Sequence, residues 1–260
     1  MVQPRLRHSI VRVAIAASVT AITICSFVSK CSADEVPNKT EKVWAIKQNH
    51  PLLQIIDVFI VPSALRIDIV DNGFSVIACA PKWDAIIFRP KEKVYFRTSY
   101  HDWLTNGFQA IELAFNTDEK PINPNMAATH ALGFAAQALT WKSYMQRSGE
   151  LSSLPGDKIP CLFEYLLGTS ETFPRQAGEL LQRFYKLPIA SGFPLSLKAS
   201  NYMGQRFELL STKQVSRMDL SPDLFKEPTG FKPVKSEMAI IVDQSTRKEI
   251  EEWGRMMNSK

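Results

Sequence analysis

The sequence of 260 residues is poor in the residue types that build most catalytic and metal sites: it has four histidines, four cysteines and eleven glycines. It contains no Gly-x-Ser-x-Gly elbow, no His-Glu-x-x-His pair and no glycine pattern for binding phosphate or a dinucleotide. Past residue 33 the histidines are His50, His101 and His130, and none is spaced as a metal-binding pair. We therefore predict no catalytic residue, no metal ligand and no cofactor. A secreted hydrolase with an unrecognised site stays open as an alternative.

The first 33 residues have the three parts of a secretory signal peptide. Arg5, Arg7 and Arg12 form a basic start, residues 13–28 are apolar and uncharged, and small residues precede a cleavage point after Ala33. The apolar run is shorter than the roughly 20 residues that a bilayer-spanning helix needs, so an uncleaved anchor is the less favoured interpretation. The segment predicts an exported bacterial protein, in the periplasm or at the cell surface.

The net charge of the chain depends on whether the predicted signal peptide is counted. It holds four of the 31 basic residues and none of the 26 acidic ones. The mature chain is therefore almost neutral, and nucleic acid is excluded as a partner, because a nucleic-acid-binding surface needs an excess of basic residues.

Only Cys79 and Cys161 remain after cleavage. In an oxidising compartment two cysteines can form one disulfide, and two buried thiols are the equal alternative. The sequence does not decide between them.

A β-rich domain is expected from residue 52 to 234, after a flexible polar lead-in at 34–51. Five apolar runs recur at intervals of roughly ten residues, as in an antiparallel meander. They lie at 58–61, 65–69, 74–80, 83–88 and 94–98, and Asp71-Asn72-Gly73 between the second and third is a hairpin signal. Further strands are predicted at 136–146, after a loop or short helix from 127, and at 159–167 and 238–242.

A helix at 174–186 precedes another group of strands. Ala177, Leu180, Leu181 and Phe184 recur at helical spacing and share one face. Alternation at 193–199, a turn at 201–204 and a second, or a second and third, strand over 206–218 follow. The fold class predicted is mainly β (α+β): a curved antiparallel sheet of about eight to eleven strands with helices on the concave side.

The concave face of such a sheet must be filled by side chains, a helix or a ligand. Strand alternation and the helix face predict an apolar ligand cavity, and ordinary core packing of the same residues is the alternative. The candidate residues are Leu65, Ile67, Ile69, Val76, Ile86, Phe88, Val94, Phe96, Leu181, Phe184, Leu195, Leu197, Phe207 and Leu209.

The order of these segments also resembles a known family. The stretches QAGELLQRFYKLPIASGFPLSLKAS, PLSLKASNYMGQRFELLSTKQV and PTGFKPV, with the segments 134–144 and 163–166 before them, are similar to the outer-membrane lipoprotein carrier (LolA/LolB-like) superfamily. The resemblance spans residues 52–234 and implies an unclosed barrel whose plugged concave side takes acyl chains. A basic strand residue helps to hold the lid in that family. Alternation points Arg66 outward, so this role is not transferred to it.

The resemblance and the residues together predict an exported, non-enzymatic protein that shields an apolar ligand, a lipid or a lipoprotein acyl chain. Residues 235–260 are expected to be a C-terminal extension with a short helix that begins at Thr246 and carries Ile250, Trp253 and Met257 on one face. This helix could meet a protein partner. A structural or interaction protein with a filled core is the second hypothesis.

Overall fold

The computed structural model describes residues 40–109, 115–116, 121–147, 158–169 and 173–243, with the single positions 246 and 252. The predicted signal peptide and most of the predicted C-terminal helix lie outside these residues. The described chain is mostly β-strand, as the sequence predicted.

Thirteen strands and three α-helices have their bounds in the described part of the chain, and the single described positions 246 and 252 are also helical. The strands are β1 Glu41–His50, β2 Gln54–Val61, β3 Ala64–Ile69, β4 Phe74–Cys79, β5 Ala85–Arg89, β6 Val94–Thr98, β7 Phe115–Asn116, β8 Asn125–Ala131, β9 Phe134–Arg147, β10 Lys158–Gly168, β11 Phe193–Asn201, β12 Arg206–Leu220 and β13 Lys232–Pro233. The helices are α1 Tyr100–Asn106, α2 Arg175–Phe184 and α3 Met238–Ile241, with a 3-10 turn at Pro222–Phe225.

All these strands belong to one sheet in the order β13-β6-β5-β4-β3-β2-β1-β12-β11-β10-β9-β7, with β8 paired beside β9. Strands β2 to β6 form the predicted meander. Strand β1 pairs with β12, which joins the meander to the second group of strands. The pairing is antiparallel except between β13 and β6. The two ends of this order, β13 and β7, are different strands, so the sheet is unclosed, and the predicted fold class is confirmed. The predicted number of eight to eleven strands is too low, since the sheet has thirteen.

Helix α2 covers one face of this sheet, which we call the inner face. The predicted apolar side of α2 is confirmed: Ala177, Leu180, Leu181 and Phe184 are all buried in the main core. Residues of β1 to β5 and β9 to β12 complete that core. The opposite side is called the outer face.

The predicted flexible lead-in is wrong for Glu41–His50, which form β1 at the centre of the sheet. Val43, Ile46 and Gln48 are buried, because β1 is paired on both edges, with β2 and with β12. The prediction failed because Lys42, Lys47 and the two polar residues before His50 interrupt the apolar alternation.

Two other local predictions are corrected. Residues 127–135 are neither loop nor helix but belong to the β8–β9 hairpin, where ladder pairing overrides the helix preference of the alanines. Residues 238–242 form the turn of α3 instead of a strand. The alternative of two strands over 206–218 is also wrong, since β12 is continuous.

The last described segment, residues 221–243, runs along the edge of the sheet and is called the tail. Phe225 packs on the outer face in a small cluster with Val43, Val61 and Ala64. Strand β13 then covers the edge of β6, and Ile240 of α3 is fully buried in the main core on the inner face. The predicted extension therefore begins as an integral part of the domain.

Candidate functional site

Most of the predicted cavity residues are packed core. Phe184 meets the rings of Phe108 at 5.0 Å, Tyr185 at 5.2 Å and Trp103 at 6.5 Å between centroids. The space beneath the middle of α2 is therefore filled by aromatic side chains. Leu65, Ile67, Ile69, Val76, Leu181, Leu195, Leu197 and Leu209 are buried in the same core, and Val94, Phe96 and Phe207 pack half-buried against it.

Ile86 and Phe88 were assigned to the wrong face. The register places Ile87 opposite Val76, so Ile86 and Phe88 point to the outer face. The tail covers that face and Phe88 packs against Phe231, with 6.0 Å between ring centroids. Every residue of β5 is consequently buried, and burial by itself could not reveal which side faces the core.

Arg66 points to the outer face, as its alternation with Leu65 and Ile67 predicted. Its Nε donates to the Asp68 carboxylate at 2.8 Å, and its Nη1 donates to the Leu224 carbonyl at 2.9 Å. Arg66 thus fastens the tail to the sheet and has no part on the inner face.

Cys79 and Cys161 remain thiols, so the disulfide alternative is wrong. They lie on β4 and β10, which are separated by several strands in the sheet. The Cys79 thiol donates to the Phe225 carbonyl at 3.3 Å, and its pKa is raised by burial and by the nearby Glu227 carboxylate. A raised pKa keeps the thiol protonated and therefore a poor nucleophile.

A buried polar network joins β1 to the segment after α2. The Tyr185 hydroxyl donates to Gln48 Oε1 at 2.9 Å, and Gln48 Nε2 donates to the Pro194 carbonyl at 2.8 Å. The His50 ring stacks on Tyr185 at 5.4 Å, and burial lowers the pKa of His50 to about 4. His50 is only 3% exposed. This geometry gives the imidazole a packing role and no access to a substrate.

Helices α1 and α2 are fastened together at the surface by a small polar cluster. The Tyr100 hydroxyl donates to Glu179, whose other oxygen accepts from Arg175 Nε at 2.8 Å. Burial and the hydrogen bond to Glu179 raise the pKa of Tyr100. Deeper in, Trp103 Nε1 donates to the Leu180 carbonyl at 3.0 Å. These contacts hold α2 against the inner face, and we call α2 the plug helix.

An open groove lies beside the first turn of α2, on the inner face. It has a volume of about 680 Å³, larger than two other depressions of about 350 and 170 Å³ on the described surface. Trp44 of β1, Ile60 of β2 and Phe173 form its apolar wall. Its polar rim consists of Glu41, Lys42, Gln176 and Arg217.

The apolar wall of the groove is part of an aromatic cluster. The Trp44 ring lies 5.8 Å from Phe173 and 5.5 Å from Phe134, and Phe173 stacks on Phe193 at 4.6 Å between centroids. Arg217 of β12 lies over the Trp44 ring, with its Cζ 4.3 Å from the ring centroid. The arrangement places aromatic side chains beside a charged and polar rim.

Sequence reasoning missed this groove. Trp44 lies in the segment that was taken as a lead-in, and Arg217 pairs with it only through the β1–β12 ladder. The short apolar run from Val43 to Ile46 was the signal that could have revealed the strand. Nothing local in the sequence indicates the ladder.

The described residues contain no cluster of three or more side chains suited to hold a metal ion. Among them there is also no helix with the length and apolar character needed to cross a membrane.

No family model and no curated protein matches the sequence. Among solved structures, the chain is similar to an uncharacterized conserved protein from Thermus thermophilus, with a TM-score of 0.39 and 10% sequence identity. The match covers 84% of this chain and 99% of that chain. At this TM-score the likeness carries no argument about family or function.

Proposed function

We propose that this is an exported, non-enzymatic binding protein that shields an apolar ligand, a lipid or a lipoprotein acyl chain, in the groove beside α2. The observation that carries the proposal is the open groove of about 680 Å³ walled by Trp44, Ile60 and Phe173. This volume lies within the roughly 300–1,000 Å³ range of small-molecule sites. Export is supported by the basic start, apolar run and small residues of the first 33 positions.

The groove has the means to bind a chain without precise polar contacts. Each Å² of apolar ligand surface that the groove buries contributes roughly 25 cal/mol. Lost rotational and conformational freedom of the ligand offsets part of this gain. A chain placed beside Trp44 would thus bind with modest affinity, as suits a carrier that must release its ligand.

The ligand position differs from the one expected from sequence, which was beneath the middle of α2. Leu181 and Phe184 are buried there against other side chains, so the proposed site is at the open end of the plug. An unclosed sheet with a helix on its inner face is the arrangement implied by the resemblance to lipoprotein carriers. Membership of that superfamily remains part of this proposal.

The test uses two variants at one groove position. Gln176 is half-buried on the first turn of α2 and lines the groove. We expect Gln176→Trp to fill the groove and abolish uptake of a neutral naphthylamine probe, and Gln176→Ala to retain it. Both variants should keep the wild-type far-UV spectrum. Equal probe uptake by both variants would place the bound probe elsewhere and refute the proposed site.

A second candidate is a structural or interaction protein with a filled core. The dense packing around Phe184 favours it. Native mass spectrometry of the exported protein separates the two, because a co-purifying lipid is expected only for the binding protein. A ligand-free protein that takes up no probe would leave the interaction protein, whose proposed partner contact is the C-terminal helix.

A further inference from the structure

Arg217 is a charged residue on the inner face, next to Trp44. The β1–β12 register sets Arg217 opposite Trp44, and the β1–β2 register sets Ile60 on the other side of Trp44. Opposed residues of a ladder point to the same face. The guanidinium therefore enters the groove from the strand ladder and lies 4.3 Å above the indole centroid.

The Arg217 guanidinium keeps its hydrogen-bonding capacity. A guanidinium that lies over an aromatic ring still presents N–H donors, in the fork geometry that fits a carboxylate. Arg217 forms no ion pair with an acidic side chain among the described residues. Its charge is thus available to a ligand in the groove.

The remaining charges at the rim largely offset one another. Glu41 and Lys42 are sequence neighbours of opposite charge and both line the groove. Asp219 is opposite Lys42 in the ladder but does not line the groove. Arg217 therefore remains the cation without an adjacent lining carboxylate. The start of α2, where Pro174 provides no side-chain cap, adds the partial positive charge of a helix N-terminus.

We propose that the groove selects a single-chain amphiphile with a carboxylate head, whose chain lies beside Trp44 and whose carboxylate pairs with Arg217. This inference rests on the proposed function and adds the chemical class of the ligand. A carboxylate on Arg217 would be held by parallel charge-assisted hydrogen bonds at the rim. The alkyl chain of the ligand would be buried against the groove wall, away from water. Specificity would come from the arginine and affinity from the aromatic wall.

Three ligands with the same alkyl chain test this selection in the full mature protein: dodecanoate, dodecanol and dodecylammonium. Each displaces the neutral naphthylamine probe at concentrations below its micelle threshold. We expect dodecanoate to bind about tenfold more tightly than dodecanol, the effect of roughly one charge-assisted pair, and dodecylammonium to bind most weakly. The preference for dodecanoate should shrink as salt is added, because the rim is exposed to solvent.

Arg217→Gln is the matching variant, and Arg206→Gln, at the start of the same strand, is its control. Arg206 is also exposed but lies outside the groove. Arg217→Gln should bind dodecanoate and dodecanol alike, whereas Arg206→Gln should keep the wild-type preference.

The outcomes separate the two proposals. Equal binding of dodecanoate and dodecanol by the wild type overturns carboxylate selection and leaves the apolar site. A preference that survives Arg217→Gln also overturns it. Failure of the wild type to bind any of the three chains overturns the proposed function itself. The wild-type comparison needs no variant, so it decides the question even where Arg217→Gln does not fold.

Discussion

Truncation of Phe184 to alanine tests whether the inner face is filled beneath α2. The Phe184 ring is 1% exposed and meets Phe108, Tyr185 and Trp103. Those neighbours are themselves buried and are held by other elements, so they have little freedom to close over the gap. The truncation should therefore leave a cavity in place of the ring.

The expected loss follows from this packing. Replacing a buried Phe by Ala costs about 3–5 kcal/mol, and the cost is greatest where the site cannot collapse. We expect a loss of about 4 kcal/mol for Phe184→Ala, within that range. With a urea m-value of about 2–3 kcal/mol per M, the unfolding midpoint should fall by roughly 1.3–2 M.

The assay is urea unfolding followed by far-UV circular dichroism and by tryptophan fluorescence. Arg175→Ala on the same helix is the control. The Arg175 side chain is 79% exposed and loses a surface ion pair with Glu179, so the unfolding midpoint of this variant should stay close to that of the wild type. A loss below about 1.5 kcal/mol for Phe184→Ala would show that this side of α2 is loosely packed, and would refute the filled-core account.

Three further predictions concern the contacts that hold the plug and the tail. An alanine in place of a helical glycine usually stabilises a protein by about 1 kcal/mol. The Cβ of Gly178→Ala, however, would lie 2.6 Å from the Gly192 carbonyl oxygen, so we expect a loss of about 1–3 kcal/mol and a lower melting temperature. A higher melting temperature would contradict this packing. The folded-state pKa of His50, about 4, is below its unfolded value of 6.5, so the stability from neutral His50 is complete above pH 6.5 and is lost as pH falls toward 4, by on the order of 3 kcal/mol. His50→Phe should remove this part of the acid dependence, and identical pH profiles of the two proteins would disprove it. Arg89→Met removes the donors to two carbonyls of α3, each at 2.6 Å, and should speed proteolysis of the α3 segment. The control Arg97→Met, which removes the exposed ion pair with Glu227, should not change it. An unchanged cleavage rate in Arg89→Met would show that Arg89 does not anchor α3.

Local periodicity was enough to predict most elements of this protein. The alternation around Leu65 and Ile67, the Asn72-Gly73 turn and the helical spacing of Leu181 and Phe184 are properties of short segments. Side chains two residues apart share a strand face, and side chains three or four apart share a helix face. The meander, the helix and the β-rich fold class could therefore be deduced without coordinates, whereas the unclosed sheet was implied by the family resemblance.

The tertiary structure alone decided which segments are central and where space remains open. Strand β1 is polar enough to look like a linker, and it is stabilised because β2 and β12 pair with both of its edges. Ile86 and Phe88 could not be assigned to a face locally, because the distant tail covers their side of β5. The groove depends on Trp44 and Arg217, which are far apart in the chain and meet only through the sheet register. Contacts between distant segments leave no periodic pattern in the sequence of either segment. The sequence therefore predicts the strands and the helix but not the site that they form.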